Sequence, residues 1–231
     1  LLIRRVMLTL LDLIAVVWFL SLWTGYTIVA KRKARTVSCL SFELRRKRTH
    51  WMQQMLGREN KISDVTLLAT LERNVSFFAS STLLILAGLL TALASSNSIS
   101  DVLSYLTPWV TQTKETIQVK ILFLAVIYVF AFFQFTWSLR QYGFGGVLIG
   151  AAPDGREMTT EEQALYANRT AKVIDQAGHS FNYGLRSMYF SLATLSWFID
   201  PSLFMATAVI VLLVMKHREF HSKALKALQE C

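Results

Sequence analysis

Three arginines sit where polar sequence meets long apolar runs, and their polar neighbours suggest a shared use. Arg73 opens "RNVSFFASSTLLILAGLL", Arg140 lies in "FQFTWSLRQYG", and Arg186 lies in "HSFNYGLRSMYF". Around Arg186, His179, Asn182, Tyr183 and Tyr189 or Phe190 recur at three- and four-residue steps, so a helix would gather them on one face. Gln134, Trp137 and Gln141 share another face, with Thr136 and Arg140 beside it, while Asn74, Ser76, Ser80 and Ser81 follow Arg73. A polar stripe cannot face lipid cheaply. The seam of Arg73, Asn74, Gln134, Trp137, Arg140, Gln141, His179, Asn182 and Arg186 should therefore turn into a bundle or a subunit interface. Three uses stay open: hydrogen-bonded mortar between helices, a site for an anion or lipid headgroup, and an ion path. For any one arginine alone the plainer use is snorkelling toward headgroup phosphates.

The elements that would position these residues follow from composition. The chain has 231 residues, of which 53% are hydrophobic and 17% charged, with a formal net charge of +9. Long apolar runs separated by basic stretches are the pattern of a helical inner-membrane protein. The positive charge falls beside those runs, where anionic lipid and topology explain it, and nucleic acid is not an expected partner. Apolar segments are expected at about 6–30, 74–94 and 117–139, each long enough to cross the hydrocarbon core. The last apolar block, 181–215, is roughly 35 residues long, too much for one crossing at about 1.5 Å per residue. "DPS" at Asp200–Ser202 divides it, because proline removes a helical hydrogen bond and restricts the residue before it. We read a hairpin of 181–199 and 202–216 turning at Asp200 and Pro201; the alternative is one long kinked helix.

The fold class is thus all-α, a single polytopic membrane domain of four to five transmembrane helices with cytoplasmic helical extensions. Lysine and arginine crowd the loop 31–73 (Lys31, Arg32, Lys33, Arg35, Arg45, Arg46, Lys47 and Arg48) and return in the tail "MKHREFHSKALKALQE". The positive-inside rule then puts the basic loop 31–73, the helical loop 140–180 and the C-terminus in the cytoplasm, with the N-terminus outside. Five crossings satisfy that arrangement and four do not. Tyr105 and Trp109, between the second and third segments, suit a membrane interface. Thr159 with Glu162 reads as a capping box that opens a helix running into the fourth segment. Along it Ala164, Ala167 and Ala171 form a small-residue face for close contact. "GGVLIGAAP" after Arg140 reads as a flexible turn. The opening "LLIRRVMLTLLDLIAVVWFLSLW" has a signal peptide's arginine pair, but its apolar core is longer and no small-residue cleavage site follows, so we read a retained anchor.

Other chemistry is sparse. Asp12 and Lys120 interrupt apolar segments at a similar outer depth, and a buried ion pair between them is expected, since either charge alone would be costly there. Asp200 reads as a cap or turn residue. His217 and His221 are four apart but lack a third ligand, so no metal is expected, and Cys39 and Cys231 have no metal or redox spacing. "FAFFQFTW" reads as a lipid-facing and packing surface. No phosphate-cradling glycine loop, HExxH or intramembrane protease pattern occurs, and a headgroup-processing enzyme would lack its nucleophile or metal set. We therefore expect no cofactor and no catalytic residue.

The stretches "ERNVSFFASSTLLILAGLL", "FQFTWSLRQYGFGGVLIGAAP" and "FNYGLRSMYFSLATLSWFIDPSLFM…HREF" together resemble the domain-of-unknown-function 599 family, membrane proteins of bacteria and plants. The resemblance runs from about Arg73 to Phe220. It implies the membrane architecture and marks Arg73, Asn74, Trp137, Arg140, Gln141, Arg186 and Pro201 as family landmarks; it implies no substrate. The expected function is a self-associating inner-membrane protein whose arginine-bearing seam forms a small-solute or anion pathway. The alternative is a non-catalytic accessory or scaffold subunit of a larger complex. Expected partners are membrane lipids, including anionic headgroups, and either further copies or other subunits.

Overall fold

The computed structural model describes residues 9–33, 39–96, 98–99, 102 and 113–230. No strand occurs among them. In chain order they form α1 (Leu10–Lys33), α2 (Leu40–Leu56), α3 (Ile62–Ala94), α4 (Lys114–Gly150), a 3-10 turn at Gly155–Glu157, α5 (Thr160–Ser196), α6 (Pro201–Phe220) and α7 (Lys223–Glu230). Of these, α1, α3 and α4 are long and apolar enough to cross a membrane. The expectations for Tyr105, Trp109, Arg35, residues 6–8 and Cys231 lie outside the described residues.

Helix starts follow local side-chain chemistry. Thr159 and Glu162 form the reciprocal box: the Thr159 amide and hydroxyl both donate to Glu162 Oε2 at 2.9 Å, and the Glu162 amide donates back to Thr159 Oγ1. The same geometry opens α1, where Thr9 donates to Asp12 Oδ2 and the Asp12 amide donates to Thr9 Oγ1. Asp200 Oδ1 accepts from the amides of Ser202 and Leu203, with Pro201 at the first helical position, where its missing N–H costs nothing.

Two sequence expectations need correction. The basic loop 31–73 is largely helical, since it holds all of α2, and α3 starts at Ile62 rather than near Asn74. Within the helical loop 140–180, the expected flexible turn at "GGVLIGAAP" is instead helix as far as Gly150, because α4 continues through "GFGGVLIG", and α5 begins at Thr160. Glycine costs a helix roughly 1 kcal/mol each, and packing outweighs it here. A β-carbon at Gly145 would lie 3.0 Å from Ile174 Cγ1, so the glycine lets α4 lie close against α5. The connection is also fastened. Lys61 Nζ donates to the Ala152 carbonyl at 2.9 Å, and a β-carbon at Gly155 would meet the Leu56 carbonyl oxygen at 2.7 Å. At about 1.5 Å per residue the 37-residue α4 is on the order of 55 Å long, well beyond a hydrocarbon core of about 30 Å. Arg73, Arg140 and Arg186 consequently lie inside helices rather than at their ends.

The described residues gather into two compact units. The first draws on Leu1–Arg32, Thr82–Ala131 and Leu185–Arg218. Its core centres on Phe19, whose ring meets Phe123, Phe190 and Phe204 at 5.0–5.7 Å between centroids, while Trp197 stacks on Phe204 at 5.2 Å. Ala15, Ala30, Ala193 and Ala208 are buried in the same cluster and keep the helices close. Ser196 meets Thr207 at 2.6 Å and Arg218 donates to the Tyr189 hydroxyl at 2.7 Å, so α5 touches α6 at two levels.

The second unit draws on Lys33–Ser81, Phe132–Gly184 and Glu219–Cys231. Here Ala167 and Ala171 are buried, in line with Ile174 and Ala177 on one face of α5. Phe135, Phe78 and Phe181 pack ring to ring at 5.5–5.8 Å. Within "FAFFQFTW" Phe135 is buried, whereas Phe133 and Trp137 are exposed. Phe135 also lies over the backbone of Gly184, where a β-carbon would come within 2.5 Å of its Cε1. Gly184→Ala is therefore expected to destabilise the protein by about 1–3 kcal/mol through overpacking. Thermal or denaturant unfolding in detergent checks it, and an unchanged midpoint would mean that the ring moves aside freely.

Candidate functional site

The densest polar cluster joins α2 to α5 within the second unit. Asp175 is buried, and its two oxygens are shared out: Arg45 Nε donates to Oδ2 and Arg48 Nη1 to Oδ1, both at 2.8 Å. His179, one turn further along α5, brings Nε2 to 3.0 Å from Arg45 Nη2 and 3.3 Å from Asp175 Oδ2. As a neutral ring it accepts from the guanidinium, which can only donate; protonated, it donates to the carboxylate. Gly178 makes the approach possible, because a β-carbon there would lie 2.7 Å from Arg48 Nη2. Burial alone would raise the Asp175 pKa, but hydrogen bonds from His179 and Arg45, with the charges of His179 and Arg48, outweigh it and hold the carboxyl at about 2. A carboxylate beside an imidazole is also the start of a general-base pair. Here the carboxylate is taken by two guanidiniums, and His179 contacts Arg45 and Asp175.

Next to this cluster α4 is fastened to α5. Ser138 donates to the Ala177 carbonyl at 2.7 Å, Ser180 donates to Gln141 Oε1 at 2.9 Å, and Tyr166 donates to the Leu148 carbonyl at 2.6 Å. Further along α2, Asp64 at the start of α3 is buried and accepts from Trp51 Nε1 at 2.7 Å and from Arg58. At the other end of α2, the Ser41 amide and hydroxyl both donate to Glu219 Oε1. α2 is thus tied to α3, to α5 and to the end of α6.

The seam residues are divided by this arrangement. His179 and Gln141 enter the buried networks just described. Gln134 and Asn182 are half-buried, and Arg73, Asn74, Trp137 and Arg140 lie at the surface. Arg140 rests over its helical neighbour Phe144, 5.7 Å from the ring centre. In the first unit Arg186 is half-buried and lies over Tyr26 at 5.2 Å, a cation–π contact. Arg140 and Gln141, adjacent in sequence, thus face different surroundings, outward and inward.

The first unit holds a buried pair of its own. Lys120 Nζ lies 4.0 Å from Asp12 Oδ1 and donates to the Trp197 carbonyl at 2.8 Å, while Trp197 Nε1 donates to Asp12 Oδ1 at 2.7 Å. Asp12 therefore caps α1, accepts from Trp197 and faces the Lys120 ammonium at once. Residues 14–224 match the family model described as protein of unknown function, DUF599. The chain belongs to that family. No curated protein and no solved structure matches it.

In this DUF599 protein, sequence reasoning missed Thr9 and Trp197 as partners of Asp12, and Asp175, Arg45 and Arg48 as one network. Thr-x-x-Asp at Thr9–Asp12 was a readable signal, being the capping spacing. The Asp175 network had none, because its members are some 130 residues apart.

Two outcomes follow. The folded pKa of Asp175, about 2, lies below the unfolded value of about 3.9, so its stabilising effect is complete above about pH 4 and is lost as pH falls toward 2. Unfolding midpoints in detergent should show a drop over that window which Asp175→Asn removes. Lys120→Met should destabilise the protein by roughly 3 kcal/mol, because it leaves Asp12 buried without its counter-charge, and adding Asp12→Asn should recover much of the loss. Equal losses in the single and double variants would contradict the pairing.

Proposed function

We propose that the protein is a non-catalytic inner-membrane component of a larger membrane assembly. In this reading it crosses five times, with the N-terminus outside and the C-terminus in the cytoplasm. α1, α3 and α4 supply three crossings, and the apolar second half of α5 forms a hairpin with α6 at Asp200–Pro201. The opposed contacts of Ser196 with Thr207 and Tyr189 with Arg218 support the hairpin. An odd number of crossings also keeps the basic stretch around α2 and the basic tail on one side.

The observation that carries the role is that the buried side chains of Asp175, Gln141 and Asp12 are turned on other groups of the same protein. Asp175 takes two arginines, Gln141 takes Ser180, and Asp12 takes Trp197 and Lys120. A catalytic or conducting site needs polar groups aimed at space where a substrate enters, whereas these join one helix to the next. On α2, Phe42, Arg46, Lys47 and His50 border an open groove of about 540 Å³. That groove is the docking surface we assign to an acidic segment of a partner subunit.

A second reading is self-association with an anion path between copies. It is favoured by Arg73, Asn74, Ser76 and Ser80, which all lie exposed on α3, with Arg140 exposed on α4. Such groups are costly against lipid, and a second copy would cover them. Gentle purification from native membranes, followed by mass measurement of the particle, separates the two. We expect co-purifying subunits that are lost when Arg46 and Lys47 are changed to glutamate. A particle of identical chains that passes anions in liposomes, and stops when Arg73 and Arg140 become alanine, would instead establish the second reading.

A further inference from the structure

We infer that the outer face of the α5–α6 pair holds an anionic phospholipid, with one acyl chain along the groove and its phosphate on Arg218. The inference rests on the proposed membrane hairpin. The groove, about 200 Å³, is walled by Leu192 of α5 and by Ile210, Val211 and Val214 of α6, and Tyr189 and Arg218 stand at one end. Leu192, Ile210 and Val214 are each about half exposed, so the walls are open to whatever solvates the helix pair. From Ile210 to Arg218 the groove follows α6 for on the order of 12 Å, a stretch suited to a run of methylenes.

The cation at its end is held in place. Arg218 Nη1 donates to the Tyr189 hydroxyl at 2.7 Å, and the guanidinium lies 5.5 Å from the centre of the same ring. That contact uses one of five N–H donors and fixes the plane of the fork, so a phosphate meets an arginine already oriented. Charge complementarity selects the ligand. Arg218 follows Lys216 and His217 in the last turns of α6, and Lys223 and Lys226 come soon after, a local excess of positive charge that favours a headgroup with net negative charge. In a zwitterionic headgroup the ammonium would sit beside the guanidinium and oppose binding.

The test uses the full chain in detergent, titrated with phosphatidylglycerol, phosphatidylcholine or inorganic phosphate and followed by native mass spectrometry. We expect phosphatidylglycerol to bind at least tenfold more tightly than phosphatidylcholine, and Arg218→Gln to remove about that factor. Tyr189→Phe, which keeps the ring and drops the hydroxyl, should lose a smaller part. Leu192→Trp, which fills an exposed groove without touching the core, should weaken lipid binding and leave the weak inorganic phosphate contact unchanged. Equal affinity of wild type and Arg218→Gln would overturn the site, as would full competition by inorganic phosphate at similar concentration. The membrane reading has its own readout. Tryptophan placed at Ile210 should be quenched by lipids brominated in the acyl chain, in the Arg218→Gln variant as in the wild type. Absent quenching would sink the hairpin reading and this site with it, whereas quenching with no headgroup preference would sink the site alone.

Discussion

A charge that leaves water for the interior of a helix bundle is costly unless it is paired and hydrogen-bonded there, and the counter-charges of Asp175 and Asp12 come from other helices. Asp175 and Asp12 both obey this constraint. Each carboxylate is buried, and each takes hydrogen bonds from parts of the chain far away in sequence. Removing one partner of such a group costs far more than the pair contributes over an apolar replacement. The networks therefore act chiefly to define which helix faces meet. α2 illustrates the effect: it is short and rich in charge, yet Ser41 holds Glu219, Arg45 and Arg48 share Asp175, and Trp51 holds Asp64.

Small residues make those meetings geometrically possible. Gly178 admits the Arg48 guanidinium to Asp175, Gly184 admits the Phe135 ring, and Gly145 lets Ile174 approach α4. Each lies in a helix interior, where glycine is a poor helix former, and each is kept helical by the packing it allows. The same trade explains why "GFGGVLIG" is helix rather than turn.

Much of the architecture was legible from the sequence. The all-helical class, the three long apolar helices, the Thr159–Glu162 cap and the break at Asp200–Pro201 all follow from apolar run length, capping spacing and proline chemistry. Helix ends on the polar side were not legible. Hydropathy measures where apolar residues stop, while α3 and α4 continue past that point on a half-buried, mixed surface. The site was legible only in pieces. Asp12 and Lys120 stood out as charges in apolar runs, whereas Asp175 looked ordinary in a polar helix, and its arginines lay in a basic stretch explained by topology alone. Arg140 and Gln141 were read as acting together, but adjacent helical residues are about 100° apart, so only one of them can face a given neighbour.

The central claim is that the buried ionic groups join helices to one another. A double-mutant cycle on Arg48→Gln and Asp175→Asn, followed by unfolding in detergent, addresses it directly. The account predicts a coupling of about 1–3 kcal/mol between the two sites, with the double variant no less stable than Asp175→Asn alone. Strictly additive losses, with no coupling, would contradict it.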